Sequence, residues 1–489
     1  TAASGGGMTA QAAETESSDT VSTQKAVTSD AASLLFTEKH ITSDLTLPTI
    51  GASGTTISWK SSNPSVLSNE GKVTRPKKGA ADEEVTLKGT VKMGDYAKAR
   101  KFAFVVLAES EMGPTKEFAL DQVELLDDYY LTAQNSDIEF LKKFDNDRLL
   151  SRFRETAGLD TKKIAPYGGW EDGWLGGHSV GHYLTAIAQA VKATGNADLK
   201  EKSKQLIKGL AECQNKLGTG FIFGAKIETE GYVEKQFDIL EGKTTGKTWV
   251  PWYNMHKMLT GLVDTYKYTG NKQALEVAKK LGDWIYNRVS KWDAGTQGRV
   301  LGTEYGGMND CLYELYLCTR DSKHLEAAHK FDEPNLYKTV AKGGKNCLNG
   351  KHANTTIPKF LGALKRYVVL EQTGELTKDD EAYLTNVEKF FDIAVTRHAY
   401  ITGGVSVMEH FRKDNNQDGT RTQTNCESCC AHNMLKMAKE LYKVTGDKKY
   451  ADYYETTLRN SIMGAVKSES GAAAYFIPMA TGYFKTFGN

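Results

Sequence analysis

A three-residue corner recurs five times in this 489-residue sequence: Thr194-Gly195-Asn196, Thr269-Gly270-Asn271, Thr319-Arg320-Asp321, Thr373-Gly374-Glu375 and Thr445-Gly446-Asp447. An apolar stripe of helical period runs into each corner and a second amphipathic helix leaves it. Leu259, Leu262, Val263 and Tyr266 precede Thr269, for example, and Leu275, Val277, Ala278, Leu281 and Trp284 follow. Glycine supplies the left-handed residue that ends one helix, and the short polar residue after it starts the next. The corners stand 50 to 75 residues apart, more than the roughly 34 to 47 residues of common helical solenoids. The surplus must be loop, and long loops gathered at one end of a helical ring are where function tends to sit. The pattern predicts a mainly α fold, an (α/α)6 barrel of about six hairpins over 111–489.

The N-terminal part reads differently. Residues 1–35 are rich in Ser, Thr, Ala, Gly and acidic groups without periodicity, which predicts a flexible leader. Over 36–110, Ile57 and Trp59, Val85 and Leu87, then Phe102, Phe104 and Val106 alternate with polar neighbours between turn signals such as Asn63-Pro64 and Met93-Gly94-Asp95. That is a small immunoglobulin-like β-sandwich around one buried Trp. The run Ile57-Ser58-Trp59 to Asn63-Pro64 resembles modules appended to secreted bacterial carbohydrate enzymes, serving either as a spacer or as a ligand-binding domain. A leader ahead of such a module suits a secreted or cell-surface bacterial protein whose signal peptide has been removed; the Thr at position 1 is equally consistent with a cloning boundary. Net charge is +1, which argues against nucleic-acid or membrane-surface partners. No apolar run approaches the roughly 20 residues that span a bilayer.

Loops rich in Gly, aromatics and His fall between the predicted helices. In the first, Tyr167 to Tyr183, His178 and His182 stand at i and i+4 on one helix face. The zincin pattern requires Glu after the first His, where this chain has Ser179. The pair reads either as part of a sugar pocket, with Trp and Tyr stacking on sugar faces, or as core histidines. Further loops carry Trp252 and His256, Tyr305 with Asn309, and His352 with Asn354. Capping explains the Asn, Asp and Thr at these helix starts but not the aromatics or histidines. The fifth loop places Glu409 in a Gly-led, partly apolar segment of the kind in which a general acid keeps its proton.

Eighteen residues after Glu409 lies a thiol-rich stretch, Cys426-Glu427-Ser428-Cys429-Cys430, just ahead of a helix-like sequence. Thiols beside a carboxylate hold zinc or activate a sulfur nucleophile, and a helix N-terminus favours the thiolate. Seven cysteines, an odd number concentrated at one place, are no disulfide framework; Cys213, Cys311, Cys318 and Cys347 read as core residues.

Together these loops resemble the helical-barrel β-L-arabinofuranosidases of glycoside hydrolase families 127 and 146. The matching elements are Gly177-His178-x-x-Gly181-His182-Tyr183-Leu184, Pro251-Trp252-Tyr253-x-x-His256-Lys257, Tyr305-Gly306-Gly307-Met308-Asn309, His352-Ala353-Asn354-Thr355-x-Ile357-Pro358-Lys359, Thr402-Gly403-Gly404 with Glu409-x-Phe411, and Glu427-Ser428-Cys429 leading into Asn433-Met434-Leu435-Lys436. The last run brings the chain closer to family 146. The resemblance implies a retaining exo-glycosidase that removes β-L-arabinofuranose with a zinc-bound Cys nucleophile. It makes Glu409 the acid/base, Glu427 and Cys429 two zinc ligands, and His178, His182, Trp252, His256, Tyr305, His352 and Asn354 sugar-pocket residues. Family members complete the zinc site with an adjacent Cys pair after a segment like Tyr475-Phe476-Ile477-Pro478, and that pair is expected beyond Asn489; otherwise Cys426 and Cys430 substitute for it. Two other readings stand beside this one: a metal-independent α/α-barrel epimerase or lyase, and a chain that only binds sugar.

Overall fold

The computed structural model describes residues 18–36, 39–77, 80–109, 115–225, 232–467 and 469–488. The chain divides into two compact units, Thr1–Gly113 with Thr445–Lys449, and Pro114–Val444 with Tyr450–Asn489.

In the N-terminal unit a four-stranded sheet has the order His40–Ile41, Tyr96–Val106, Glu83–Met93, Thr56–Ser61. The first pair is parallel and the others antiparallel. Val85, Leu87 and Val91 alternate inward on one face with Ile57, Phe104 and Val106, the period-2 signal read from the sequence. Gly89 sits opposite Trp59, and a Cβ there would come within 2.7 Å of the indole. Part of this face is covered by a helix, Ser18–Ser33, through Val27, Ala31 and Leu34. The expected flexible leader is therefore corrected for residues 18–33; residues 1–17 lie outside the described part. Sparse apolar groups at Val27, Ala31 and Leu34 suffice for a helix when a sheet face awaits them, which composition over the whole segment conceals.

The second unit is built from six helical hairpins among the described residues. Their first members are Asp128–Lys142, His178–Thr194, Pro251–Thr269, Met308–Thr319, Ala353–Thr373 and Ser428–Thr445; their second members are Asn146–Thr156, Ala197–Leu217, Lys272–Val289, Ser322–His329, Glu381–His398 and Lys448–Thr457. At each of the five corners the central residue is left-handed: Gly195, Gly270, Arg320, Gly374 and Gly446. The preceding threonine explains itself. Thr194, Thr269 and Thr319 hydroxyls donate to the carbonyl four residues back at 2.7, 2.6 and 3.0 Å. Thr194, Thr319 and Thr445 also accept the N–H two residues on. Asn196, Asn271, Asp321 and Asp447 then cap the next helix with their side chains. The fourth corner departs from the pattern. Glu375 is too long to cap, its carboxylate accepts from Tyr316 instead, and the next helix waits until Glu381.

The helices His178–Thr194 and Pro251–Thr269 touch backbone to backbone. A Cβ on Gly181 would fall 2.1 Å from the Lys257 carbonyl oxygen, and one on Gly261 2.6 Å from that of Gly181. Groups near the N-termini of neighbouring members also meet. Tyr253 lies 6.1 Å from His178, His256 bonds Gly307, and Asn433 donates to Asn354. Five inner helices thus bring their N-termini to one end of an (α/α) barrel, and that end holds the loops singled out above.

Candidate active site

Glu409 sits at the tip of a tight hairpin turn. Val407 and His410 exchange both backbone hydrogen bonds, at 3.0 and 3.1 Å, and the two residues between them, Met408 and Glu409, both have positive φ, 45° and 65°. Two-residue hairpins require this backbone, usually with Asn or Gly. The Glu409 carbonyl accepts from Ala353 N–H at 2.7 Å, which ties the turn to the start of an inner helix. The carboxylate stands half in solvent, so the apolar sheath expected around it is corrected: two donors hold it. Tyr475 Oη donates to Oε1 at 2.8 Å, and His352 Nε2 lies 3.4 Å from Oε2. The ring's tautomer follows from its other nitrogen. His352 Nδ1 accepts from Thr355 N–H at 3.1 Å as the cap of Ala353–Thr373, so in the neutral ring the proton is on Nε2, facing Glu409.

Tyr475 also contacts Glu427 Oε1, at 3.1 Å. The two carboxylates therefore lie no more than about 6 Å apart, since each bonds the same hydroxyl at 2.8 and 3.1 Å. A phenol has one proton, so one of these contacts uses a proton carried by a carboxyl. Glu427 is buried, and burial pushes its carboxyl above the usual carboxylate range. Cys430 Sγ donates to Glu427 Oε2 at 3.2 Å, and the Cys429 thiol bonds the same carboxylate.

Both cysteines lie in the first turn of Ser428–Thr445, yet neither is the thiolate that the helix N-terminus led us to expect. Burial first, then the Glu427 charge, pushes Cys429 up to about 12 and Cys430 well above the ordinary thiol. A helix end worth at most about 2 kcal/mol does not outweigh that desolvation. Cys426 is buried beside Gly404 and accepts from Thr402. All seven cysteines are free; Cys213 and Cys311 are buried, while Cys318 and Cys347 are half-buried.

A thiol and a carboxylate in contact are the donor chemistry of a zinc site. They are two donors of the four a tetrahedral site takes. Cys430 reaches Glu427, but among the described residues no third His, Cys, Asp or Glu brings a donor within 4.8 Å of those of both Glu427 and Cys429.

The sequence-read pocket residues divide into two groups. His352 faces Glu409. His182 is exposed, with Lys257, His432 and Lys436 acting on it. Its surroundings and then Lys257 hold its ring well below the ordinary histidine range. His178 Nδ1 contacts Leu175 O at 2.6 Å and Glu171 Oε1 at 3.0 Å. Glu171 in turn caps this helix by accepting Gly177 and Ser179 N–H.

Trp252 and Tyr305 are corrections. Both are 0% exposed, and a ring without surface stacks on no sugar. Trp252 packs against Phe237, Trp292 and Phe331, and Tyr305 donates to Glu333. The exposed aromatics of these loops are Trp170 and Trp249. His256 is also buried and serves the fold, its Nδ1 accepting Gly307 N–H at 3.0 Å. Asn354 is nearly buried and accepts from Asn433.

Other groups at this end of the barrel went unassigned in the sequence. Lys257 stacks its ammonium 4.7 Å above the Tyr253 ring. Burial, then Lys436, brings Lys257 down to about 8. His432 lies one turn after Ser428 and is held at about 4 by its surroundings, then by Lys436 and Lys257. Glu304 is raised by burial and hydrogen-bonded to Thr355. Spacing was the available signal: Tyr253 and Lys257, like Cys429, His432 and Lys436, follow the i, i+3/i+4 face that looks into the barrel mouth.

A helical barrel with carboxyls, thiols and imidazoles gathered at one mouth is matched by the profile of a glycoside hydrolase domain. The profile of the beta-L-arabinofuranosidase GH127 catalytic domain matches residues 122–487, and that of the atrophied bacterial Ig domain matches residues 18–109. The chain belongs to the GH127 β-L-arabinofuranosidase catalytic-domain family. Among solved structures, a GH127 β-arabinofuranosidase superposes with a TM-score of 0.54 at 19% identity, over 75% of this chain and 57% of the other. A GH127 β-L-arabinofuranosidase from Geobacillus stearothermophilus T6 superposes with a TM-score of 0.55 at 16% identity, over 73% and 58%. This chain thus spans a little under three fifths of the length of either structure, and at these identities the likeness shows the fold alone. A search of curated proteins returned no match. No helix among the described residues is long and apolar enough to cross a membrane.

Proposed function

We propose that this chain is the catalytic part of a secreted bacterial exo-glycosidase that releases terminal β-L-arabinofuranose from plant-derived glycans with retention of configuration. The observation that carries this reading is the single hydroxyl of Tyr475 shared by Glu409 and Glu427 beside Cys429. Glu409 is the acid/base. It protonates the glycosidic oxygen while a cysteine thiolate takes the anomeric carbon, and later takes a proton from the water that displaces that sulfur; Tyr475 and His352 hold its two oxygens in place. Glu427 and Cys429 would be two donors to zinc, which when bound supplies the counter-charge that keeps a coordinating thiol ionised at neutral pH. His178 and His182 offer imidazoles to sugar hydroxyls, and Asn433-Met434-Leu435-Lys436 supports the family 146 subdivision.

Binding without hydrolysis has one observation in its favour: Cys429 contacts the Glu427 carboxylate as a hydrogen-bond donor, that is, as a thiol. Proton NMR of a β-L-arabinofuranoside incubated with the full chain tests both readings. Appearance of the β-anomer of arabinose before the α-anomer supports the proposal. Initial α-anomer contradicts retention, and a ligand that binds without release establishes the binding reading.

A further inference from the structure

A cluster on the outer ring of helices takes no part in the site above. Asp283 lies on Lys272–Val289, Asp321 caps Ser322–His329, and His324 follows it by three residues; one donor atom from each lies within 4.8 Å of the others. Acidic side chains gather at surfaces without any ligand, but this histidine is not a surface group. Its side chain is 1% exposed. Thr319 Oγ1 lies 3.0 Å from Leu315 O and 2.8 Å from His324 Nδ1. With the hydroxyl proton on Leu315 O, Nδ1 is the donor of the second contact and the neutral ring has its lone pair at Nε2.

Nε2 is buried, has no hydrogen-bond partner, and lies 3.6 Å from Asp283 Oδ1. The Lys279 carbonyl approaches the ring as a backbone acceptor but not in hydrogen-bond geometry at Nε2. In that tautomer a lone pair faces a carboxylate oxygen, and a cation between them removes the repulsion. Gly282 keeps the space open, since a Cβ there would come within 2.7 Å of Nε2. Lys323 supplies positive charge from the outer side, with Nζ 2.6 Å from Asp283 Oδ1 and 3.4 Å from Asp321 Oδ2. Its side chain is 41% exposed and free to turn away.

We propose that Asp283, Asp321 and His324 bind a divalent cation of the zinc type through His324 Nε2 and one oxygen of each carboxylate, with water as fourth ligand. One imidazole and two carboxylates suit zinc in number and kind, and the Thr319 hydroxyl plays the outer-shell part of orienting the imidazole. The ion staples the helix Lys272–Val289 to the Thr319 corner, and Lys323 is the cation it displaces.

Zinc titration by calorimetry tests this, using the full chain carrying Cys429→Ser so that the thiol cluster contributes no thiolate. One equivalent of zinc binds in that background. Asp283→Asn and His324→Gln weaken it at least about tenfold, as loss of a metal-site group does. Lys323→Met, an exposed change that leaves the fold intact, tightens it by a similar factor. Zinc binding abolished by Cys429→Ser alone, or affinity indifferent to both Asp283→Asn and Lys323→Met, overturns the proposal.

Discussion

Glu409 and Met408 occupy a backbone region that costs a residue with a Cβ roughly 1–2 kcal/mol. They stay there because Val407, His410, Ala353 and Thr424 fix the turn from both sides. The strain serves to push a carboxylate out of a loop and into the mouth of the barrel. Glu409, Glu427 and Cys429 were legible in the sequence because their residue types carry the chemistry. Tyr475, which joins them, was not: a tyrosine 48 residues past Glu427 has no local signal for a contact made only through the fold. Trp252 failed for the opposite reason. Its neighbours in sequence line the mouth, but one step of helix rotates its ring by about 100° into the core. Replacing Tyr475 by Phe removes both bonds while keeping the ring. Loss of one donor held on a charged partner costs about 1.5–3 kcal/mol, so kcat falls roughly tenfold to a hundredfold with KM little changed, as steady-state kinetics on a β-L-arabinofuranoside would show.

At the scale of elements, the corners were readable because Thr, Gly and Asn or Asp each do one job there, and the fourth failed to start a helix where Glu replaced the cap. The close crossing of His178–Thr194 and Pro251–Thr269 was less visible, since one glycine in a helix does not announce what lies against it. Gly181→Ala would force these helices apart, with a contact of 2.1 Å to relieve. Overpacking of this kind costs about 1–3 kcal/mol, against the gain of up to about 1 kcal/mol that alanine normally brings to a helix interior. Thermal unfolding of the variant should therefore show a lowered midpoint, and a raised one would mean that the crossing is looser than described. Asn271→Ala, which removes the cap on Gln273 and Ala274, should cost about 1 kcal/mol, measured by urea unfolding.

Across the whole molecule, the barrel is tied through its interior by charge. Lys267, Glu314, Lys365 and Glu440 come from four successive inner helices. Lys267 and Lys365 bond Glu314 at 2.5 and 2.6 Å, and Lys365 lies 3.9 Å from Glu440. Burial alone would raise the Glu314 carboxyl, but Lys365 and Lys267 together hold it far below the usual carboxylate range. A carboxylate depressed in the folded state adds stability that is fully present above its unfolded value, about 4.3. That stability is lost as pH falls toward the folded value. Glu314→Gln removes the partner of Lys267 and leaves Lys365 only Glu440, and should destabilise the chain by about 1–3 kcal/mol at neutral pH, the buried-pair cost discounted for partial exposure. The gap to wild type should narrow below about pH 4 in unfolding curves taken from pH 7 to pH 3; a gap independent of pH would contradict the pairing. No spacing in the sequence gives such a network, because its members lie on different hairpins and meet only when the ring closes.

The central claim is that Glu409 donates a proton to the leaving group. Kinetics of the full chain and its Glu409→Gln variant on two β-L-arabinofuranosides test it, one with a sugar as leaving group and one with dinitrophenolate, which departs without protonation. The wild type should hydrolyse both. The variant should lose roughly 10²- to 10⁴-fold on the sugar glycoside and far less on the dinitrophenyl glycoside. Equal losses on the two substrates, or no hydrolysis of either by the wild type, would contradict the account.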